Sequence, residues 1–128
     1  MKRLLLDTHV LLWWLADSPA LGADARSLIG GSDNAVYVSA ATCWEISIKR
    51  KKGLLEAPDG ISGIVEEEGF DQLEISLFHA EKAGELEEIH RDPFDRMLVA
   101  QAQVEGLEIV TADREISRYA VRVIDAGK

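Results

Sequence analysis

Four carboxylates stand at matching places along the chain, just after, or one helical turn beyond, a short apolar run. In an open α/β sheet the ligand site lies outside the carboxyl ends of the strands, where residues distant in sequence meet. Carboxylates that converge on one crevice repel one another, so they need cations. Their oxygen atoms suit hard cations, which predicts one or two Mg²⁺ or Mn²⁺ ions. The four acids are Asp7, Glu45, Asp95 and Asp113.

Such a site is suited to hydrolysis of a phosphodiester bond. Two cations roughly 3.5 to 4 Å apart can activate a water molecule and stabilise both the attacking and the leaving oxygen. We therefore predict that the four acids are metal ligands and catalytic residues.

Each acid also has a simpler interpretation that the sequence leaves open. Asp7 can cap the helix that follows it, and Asp113 can begin a turn. Asp95 lies three residues after a helix cap, where an acid favours the helix dipole and resembles a capping box. Glu45 can pair with Lys49 one turn later. A shared crevice explains all four positions at once.

The elements that must position these acids alternate between strands and helices. Near-continuous apolar strands are typical of a parallel sheet that helices cover on both faces. We predict one domain over residues 1–128, an α/β/α three-layer sandwich with a parallel five-stranded sheet. Strands are predicted over residues 2–6, 35–39, 70–75, 107–111 and 121–124, and helices over 9–16, 22–29, 39–52, 59–68, 77–89, 92–106 and 115–119.

Composition and charge restrict the class of protein. The 128 residues are 47% hydrophobic and 29% charged, which is typical of a globular domain rather than a disordered or fibrous chain. The net charge of -9 argues against broad affinity for nucleic acid, because such affinity rests on cationic side chains. Cations held by the acids would place positive charge where a phosphate binds.

The sequence also bears on the compartment. The single cysteine, Cys43, cannot form a disulfide within the chain and is expected to be a small buried hydrophobe. The apolar start resembles a signal peptide, but Asp7, Thr8 and His9 interrupt it. No apolar run approaches the ~20 residues of a membrane span. We expect a cytoplasmic protein that does not enter a membrane.

Basic and aromatic residues suggest contacts with partners. The run 49–52 is the strongest cationic feature, and either RNA phosphates or the helix dipole can explain it. Lys49, Arg50 and Arg96 are the candidate RNA contacts. Trp13 and Trp14 are consecutive in a predicted helix and cannot face one core together, so one of them is a candidate for a protein contact or for packing on a neighbouring helix.

Taken together, these segments resemble the PIN-domain ribonucleases and, among them, the VapC-type toxins of toxin-antitoxin pairs. The resemblance spans essentially the whole chain and is most specific at residues 92–102. It implies the PIN fold, Mg²⁺- or Mn²⁺-dependent endoribonuclease activity and inhibition by a small antitoxin, and we also expect a homodimer. The matching motifs are LLLDT at residues 4–8, the segment 39–45 with WEI at 44–46, DPFDRMLVAQA at 92–102 and VTAD at 110–113.

The resemblance assigns roles position by position. All four acids match the family's acidic set, and Asp7 and Asp95 are the firmest metal-ligand assignments. Thr111 matches a hydroxyl residue that orients a carboxylate or a water, and we assign the same task to Thr8. An antitoxin is expected to cover an apolar groove near Trp13 and Trp14.

Rival interpretations differ in what they require. A haloacid-dehalogenase-type phosphatase needs a second aspartate two residues after Asp7, where this chain has His9. A receiver domain needs paired acids after the first strand and a lysine after the last, and neither is present. A non-catalytic PIN-like module that binds RNA or protein stays open, as does a housekeeping PIN nuclease without an antitoxin.

Overall fold

The computed structural model describes all of residues 1–128 and is built on one five-stranded sheet. Every neighbouring pair of strands is parallel, in the order β3-β2-β1-β4-β5. The chain therefore builds outward from β1 on one side and then returns to build on the other. This change of direction between β1 and β4 is where open α/β sheets place a ligand crevice. The strands are β1 (Arg3–Leu6), β2 (Ala35–Ser39), β3 (Asp71–Leu73), β4 (Glu108–Thr111) and β5 (Val123–Asp125).

Helices cover both faces of the sheet. Successive residues of β1 point to opposite faces, so Leu4 and Leu6 belong to one buried cluster and Leu5 to another. The predicted three-layer sandwich with a parallel five-stranded sheet is confirmed. The helices are α1 (Thr8–Leu15), α2 (Ala23–Gly30), α3 (Ala40–Lys51), α4 (Ile61–Glu67), α5 (Leu77–Glu85) and α6 (Pro93–Glu105), with a 3₁₀ turn at Ile116–Arg118. None of these helices is both long enough and apolar enough to cross a membrane.

Helix caps fix the starts of the two helices that carry Glu45 and Asp95. The Ser39 side chain accepts a hydrogen bond from the backbone N–H of Ala41, which caps α3. The Asp92 side chain accepts from the first backbone N–H groups of α6, and Pro93 occupies the first helical position. Both caps agree with the sequence prediction.

Several predicted elements are shorter than expected. The strand predicted over 70–75 contracts to Asp71–Leu73, because the Glu74 carbonyl accepts from the Gln101 side chain instead of joining the sheet. The helix predicted over 77–89 ends at Glu85. The last strand begins two residues later and ends one residue later than the predicted 121–124.

The early end of α5 is explained by Arg96. Its Nη1 donates to the carbonyls of Glu87 (3.1 Å) and His90 (3.4 Å), and its Nη2 donates to those of Ala83 (2.9 Å) and Leu86 (3.1 Å). Arg96 thus satisfies carbonyls at and beyond the C-terminal end of α5, where a helix leaves such groups without partners within the helix. The guanidinium group of Arg96 is held by the chain's own backbone, and the RNA contact stays a prediction.

Candidate active site

One crevice of about 480 Å³ at the carboxyl ends of the central strands is lined by all four predicted acids. Asp7 directly follows β1, and Asp113 is the second residue after β4. Glu45 lies on α3, and Asp95 lies in the first turn of α6. The strand ends and the two helices thus bring together residues that are more than 100 positions apart in sequence.

Asp7 is held on both of its carboxylate oxygens. Oδ1 accepts from the backbone N–H of Val10 (2.8 Å) and so caps α1, while Oδ2 accepts from the hydroxyl of Thr111. Burial raises the pKa of Asp7 even though both hydrogen bonds favour its charged form. The capping interpretation is therefore correct for one oxygen, while Thr111 orients the other.

Glu45 is buried and is also engaged on both oxygens. Oε1 accepts from the Thr8 hydroxyl at 2.6 Å, and Oε2 lies 2.5 Å from Nζ of Lys49. The hydrogen bond to Glu45, with the negative charges of Asp92 and Asp95, raises the pKa of Lys49 against the effect of burial. The pairing with Lys49 that the sequence allowed is present, but it lies inside the crevice.

Asp95 does not complete a capping box. The Asp92 backbone N–H, which such a box would use, donates to Nδ1 of His90 instead (3.1 Å). The Asp95 side chain therefore faces the crevice with 18% of its surface exposed. Burial and the negative charge of Asp92 raise the pKa of Asp95 to about 7, despite the nearby His90.

Asp113 combines a turn with a place in the crevice. Its Oδ1 accepts from the backbone N–H of Glu115 (2.9 Å), and its Oδ2 lies 2.8 Å from Nε2 of His90. Burial would raise the pKa of Asp113, but the hydrogen bond and positive charge of His90 outweigh burial and lower it.

Sequence analysis missed His90. Its Nε2 lies 3.1 Å from Oδ2 of Asp95 and 2.8 Å from Oδ2 of Asp113, and its side chain is 13% exposed. The available signal was its position two residues before the cap of α6, next to the most specific motif. Burial lowers the pKa of His90, but the hydrogen bond to Asp113 and the charge of Asp95 reverse this and raise it.

The crevice fits a divalent cation. Burial, together with neighbouring negative charges, raises the pKa values of Asp7 and Asp95. The charged cluster is therefore unfavourable without a compensating cation. Asp95 and Asp113 also place oxygen atoms within 4.8 Å of each other, close enough to share one ion. The donors are mostly hard oxygens, which match Mg²⁺ or Mn²⁺.

The metal-free protein should become more stable as the pH falls from about 8 to about 5. Because the pKa of Asp95 is about 7 in the folded state, the folded chain binds more protons in this window than the unfolded chain, where Asp titrates near 3.8. The raised pKa of His90 acts in the same direction. Thermal melting in EDTA should show a higher Tm, by several degrees, at the lower pH.

The matched variants for this pH effect are Asp95→Asn and Asp71→Asn. Asp71 is an exposed carboxylate on the edge strand β3, so its variant should keep the pH dependence. Asp95→Asn should lose most of it. A wild-type Tm that decreases as the pH is lowered from about 8 to about 5 would contradict this prediction.

The other predicted contacts lie in different places. Arg50 is exposed and forms an ion pair with Asp59. Trp13 lines the acidic crevice, with its ring 6.4 Å from that of His9. Trp14 packs 6.0 Å from the ring of Phe70, and its Nε1 donates to Glu68. The two side chains therefore serve different contacts within the chain, and an antitoxin groove near them stays a prediction.

The most exposed tryptophan is Trp44, which sequence analysis quoted only as part of a motif. It is 62% exposed, and its ring meets Phe94 edge-on at 5.4 Å. A largely apolar cavity of about 330 Å³ lies beside it, lined in part by Cys43, Ile61 and Leu73. Cys43 is only partly buried as a result.

The fold and the acidic crevice agree with a comparison to protein families. The family model of the PIN domain matches residues 4–122, which is nearly the whole chain. The chain therefore belongs to the PIN domain family. No curated protein has a significantly similar sequence.

Solved structures share the fold. VapBC from Salmonella typhimurium, solved bound to DNA, includes a chain that is 23% identical with a TM-score of 0.69, covering 98% of both chains. VapBC2 from Rickettsia felis, bound to a promoter DNA fragment, gives 13% identity and 0.69 over 96% of this chain and 98% of that one. FitAcB from Neisseria gonorrhoeae gives 21% sequence identity and a TM-score of 0.63, covering 96% of this chain and 97% of that one.

Proposed function

We propose that this protein is a Mg²⁺- or Mn²⁺-dependent endoribonuclease and the toxin of a toxin-antitoxin pair. The observation that carries the proposal is the convergence of Asp7, Glu45, Asp95 and Asp113 in one crevice of a PIN domain. PIN domains are generally nucleases. A non-catalytic module has no need to bury several carboxylates against their own repulsion, so the raised pKa values favour the catalytic alternative.

Asp7, Asp95 and Asp113 are the residues that would hold the cation. When bound, a divalent cation polarises water and stabilises negative charge on phosphate oxygens. Thr111 donates to Asp7 and keeps its second oxygen turned into the crevice. Glu45 meets Thr8 and Lys49, so its first task is to position that lysine, and it is a further ligand if the lysine moves to the substrate.

Lys49 is the side chain we expect to meet the RNA inside the crevice. Its ammonium group is a donor within the acidic site, and the raised pKa keeps it charged. Arg50 lies next to it, exposed at the end of α3, where a phosphate of the same strand can compete with Asp59. These two cations offset locally a chain that carries a net charge of -9.

The antitoxin partner is proposed from the structural neighbours, whose solved forms are VapBC and FitAB complexes. An arginine from such a partner would suit the crevice, because its planar guanidinium pairs with a carboxylate through two hydrogen bonds and competes with a cation. Trp13 lines the same crevice and is the aromatic residue we expect such a partner to touch. A small DNA-binding protein encoded beside this chain would support the toxin role over a housekeeping nuclease. A cytoplasmic homodimer remains our expectation.

The proposal is tested by RNA cleavage with the metal as the variable. The purified chain, freed of any partner, should cleave RNA in Mg²⁺ or Mn²⁺ and stop in excess EDTA, because the site depends on a cation held by oxygen ligands. Adding back either metal should restore cleavage. Full activity in excess EDTA would exclude the proposed mechanism.

A further inference from the structure

We propose that His90 is a positioning residue whose Nε2–H donates to Asp113 beside Asp95, and that His90 is not itself a metal ligand. The proposal rests on the proposed function in one respect, namely that these two acids hold the cation. From distances alone, His90 could join them as a third ligand, because one donor atom of each residue lies within 4.8 Å of the others. The hydrogen bond on the far side of the ring decides between these two roles.

The Asp92 backbone amide fixes the tautomer of His90. This N–H donates to Nδ1 of the ring at 3.1 Å. An amide can donate only to a nitrogen with a free lone pair, so Nδ1 carries no proton and the proton of the neutral ring is on Nε2. A protonated ring nitrogen has no lone pair for a metal. The nitrogen that faces the acids is therefore a hydrogen-bond donor.

The ring is also held in place from its backbone. The N–H of His90 donates to the Tyr119 hydroxyl at 2.8 Å, and that hydroxyl donates to the carbonyl of Glu87 at 2.9 Å. The His90 carbonyl accepts from Arg96. These contacts attach His90 to α6 and to the 3₁₀ turn after β4, so the donor enters the crevice from a fixed direction.

This donor bonds Asp113 and lies beside Asp95, and the two carboxylates belong to different elements. Asp95 is carried by α6 and Asp113 by the loop after β4, and Nε2 lies 3.1 Å and 2.8 Å from one oxygen of each. Without this ring, one oxygen of Asp95 and one of Asp113 would face each other with no donor between them. Loss of such a supporting hydrogen bond typically weakens metal binding by about 10- to 100-fold.

The tautomer can be measured directly in the wild-type protein. The pKa of His90 is raised, so nitrogen NMR of the imidazole rings should be followed from about pH 8 upward until this ring is neutral, and the neutral ring should carry its proton on Nε2. Addition of Mg²⁺ should leave that proton in place, and the EPR spectrum with Mn²⁺ should show no directly bound ring nitrogen. A neutral ring with its proton on Nδ1, or a ring nitrogen coupled to Mn²⁺, would overturn the proposal.

Variants of His90 separate the effect of its hydrogen bond from the effect of its side-chain volume. His90→Ala should weaken Mn²⁺ binding by about 10-fold or more, and His90→Gln, whose amide N–H sits at a similar reach, should recover most of it. The control is His9→Ala, because His9 lines the same crevice without a hydrogen bond to any of its acids, and it should change affinity by less than about 2-fold. Wild-type affinity in His90→Ala, or a His90→Gln variant no better than His90→Ala, would contradict the donor role.

These measurements use no RNA, so the two proposals can fail separately. A wild type that shows the Nε2–H tautomer and the ranked Mn²⁺ affinities but leaves RNA intact would overturn the proposed nuclease function alone. A wild type that cleaves RNA with Mn²⁺ bound through the His90 ring would overturn this inference alone.

Discussion

Replacing Asp95 by asparagine is expected to reduce Mg²⁺-dependent RNA cleavage by at least about 100-fold, because a bound cation contributes several kcal/mol of charge stabilisation to phosphodiester hydrolysis. Asp95 is the preferred target because its carboxylate faces the crevice and does not cap its helix, a task that belongs to Asp92. Asp7→Asn should have a similar effect on activity. It is the less clean test, because Asp7 also caps α1.

The Asp95→Asn protein should remain folded. In the wild type, burial and neighbouring negative charge raise the pKa of the Asp95 carboxyl group. Replacing it by a neutral amide therefore relieves repulsion in the metal-free state. Its Tm in EDTA at about pH 8 should equal or exceed that of wild type. Asp71→Asn is the control, since it removes one exposed carboxylate far from the crevice and should cleave RNA normally. Wild-type cleavage by Asp95→Asn would remove Asp95 from the site, and an unfolded variant would indicate a structural role.

Replacing Arg96 by leucine is expected to lower the free energy of unfolding by about 2 to 4 kcal/mol, because four backbone carbonyls lose their charged donor. Chemical denaturation should detect the change. Arg91→Leu is the matched control, because Arg91 is an exposed arginine nearby and should alter stability by less than about 0.5 kcal/mol.

The Arg96 variant also tests whether Arg96 contacts RNA. RNA binding, measured in a background that carries Asp95→Asn, should fall only to the extent that the Arg96 variant is unfolded. The NMR signals of the His90 ring should shift, because Arg96 holds the His90 carbonyl. A variant with wild-type stability but weak RNA binding would instead support the prediction that Arg96 contacts phosphate.

The sequence by itself determined the class of fold and the positions of the four acids. Apolar runs such as residues 4–6 and 109–110 form strands because both sheet faces bury them, and this character is readable from local composition. The cap at Asp92 with Pro93 fixes where α6 begins. Once strands and helices alternate, parallel topology places the residues that follow the strands at one edge. Convergence of the acids therefore required no knowledge of distant contacts.

Only the tertiary structure decided which side chains serve each acid. His90 reaches the crevice because the segment between α5 and α6 folds back toward the loop after β4, a relation between residues that are 23 positions apart. Arg96 binds four carbonyls because α5 ends where it does. Trp14 meets Phe70 and Glu68 across more than 50 residues. A hydrogen bond depends on the distance between two atoms to within a few tenths of an ångström, and packing sets that distance. Residue type and spacing do not contain it.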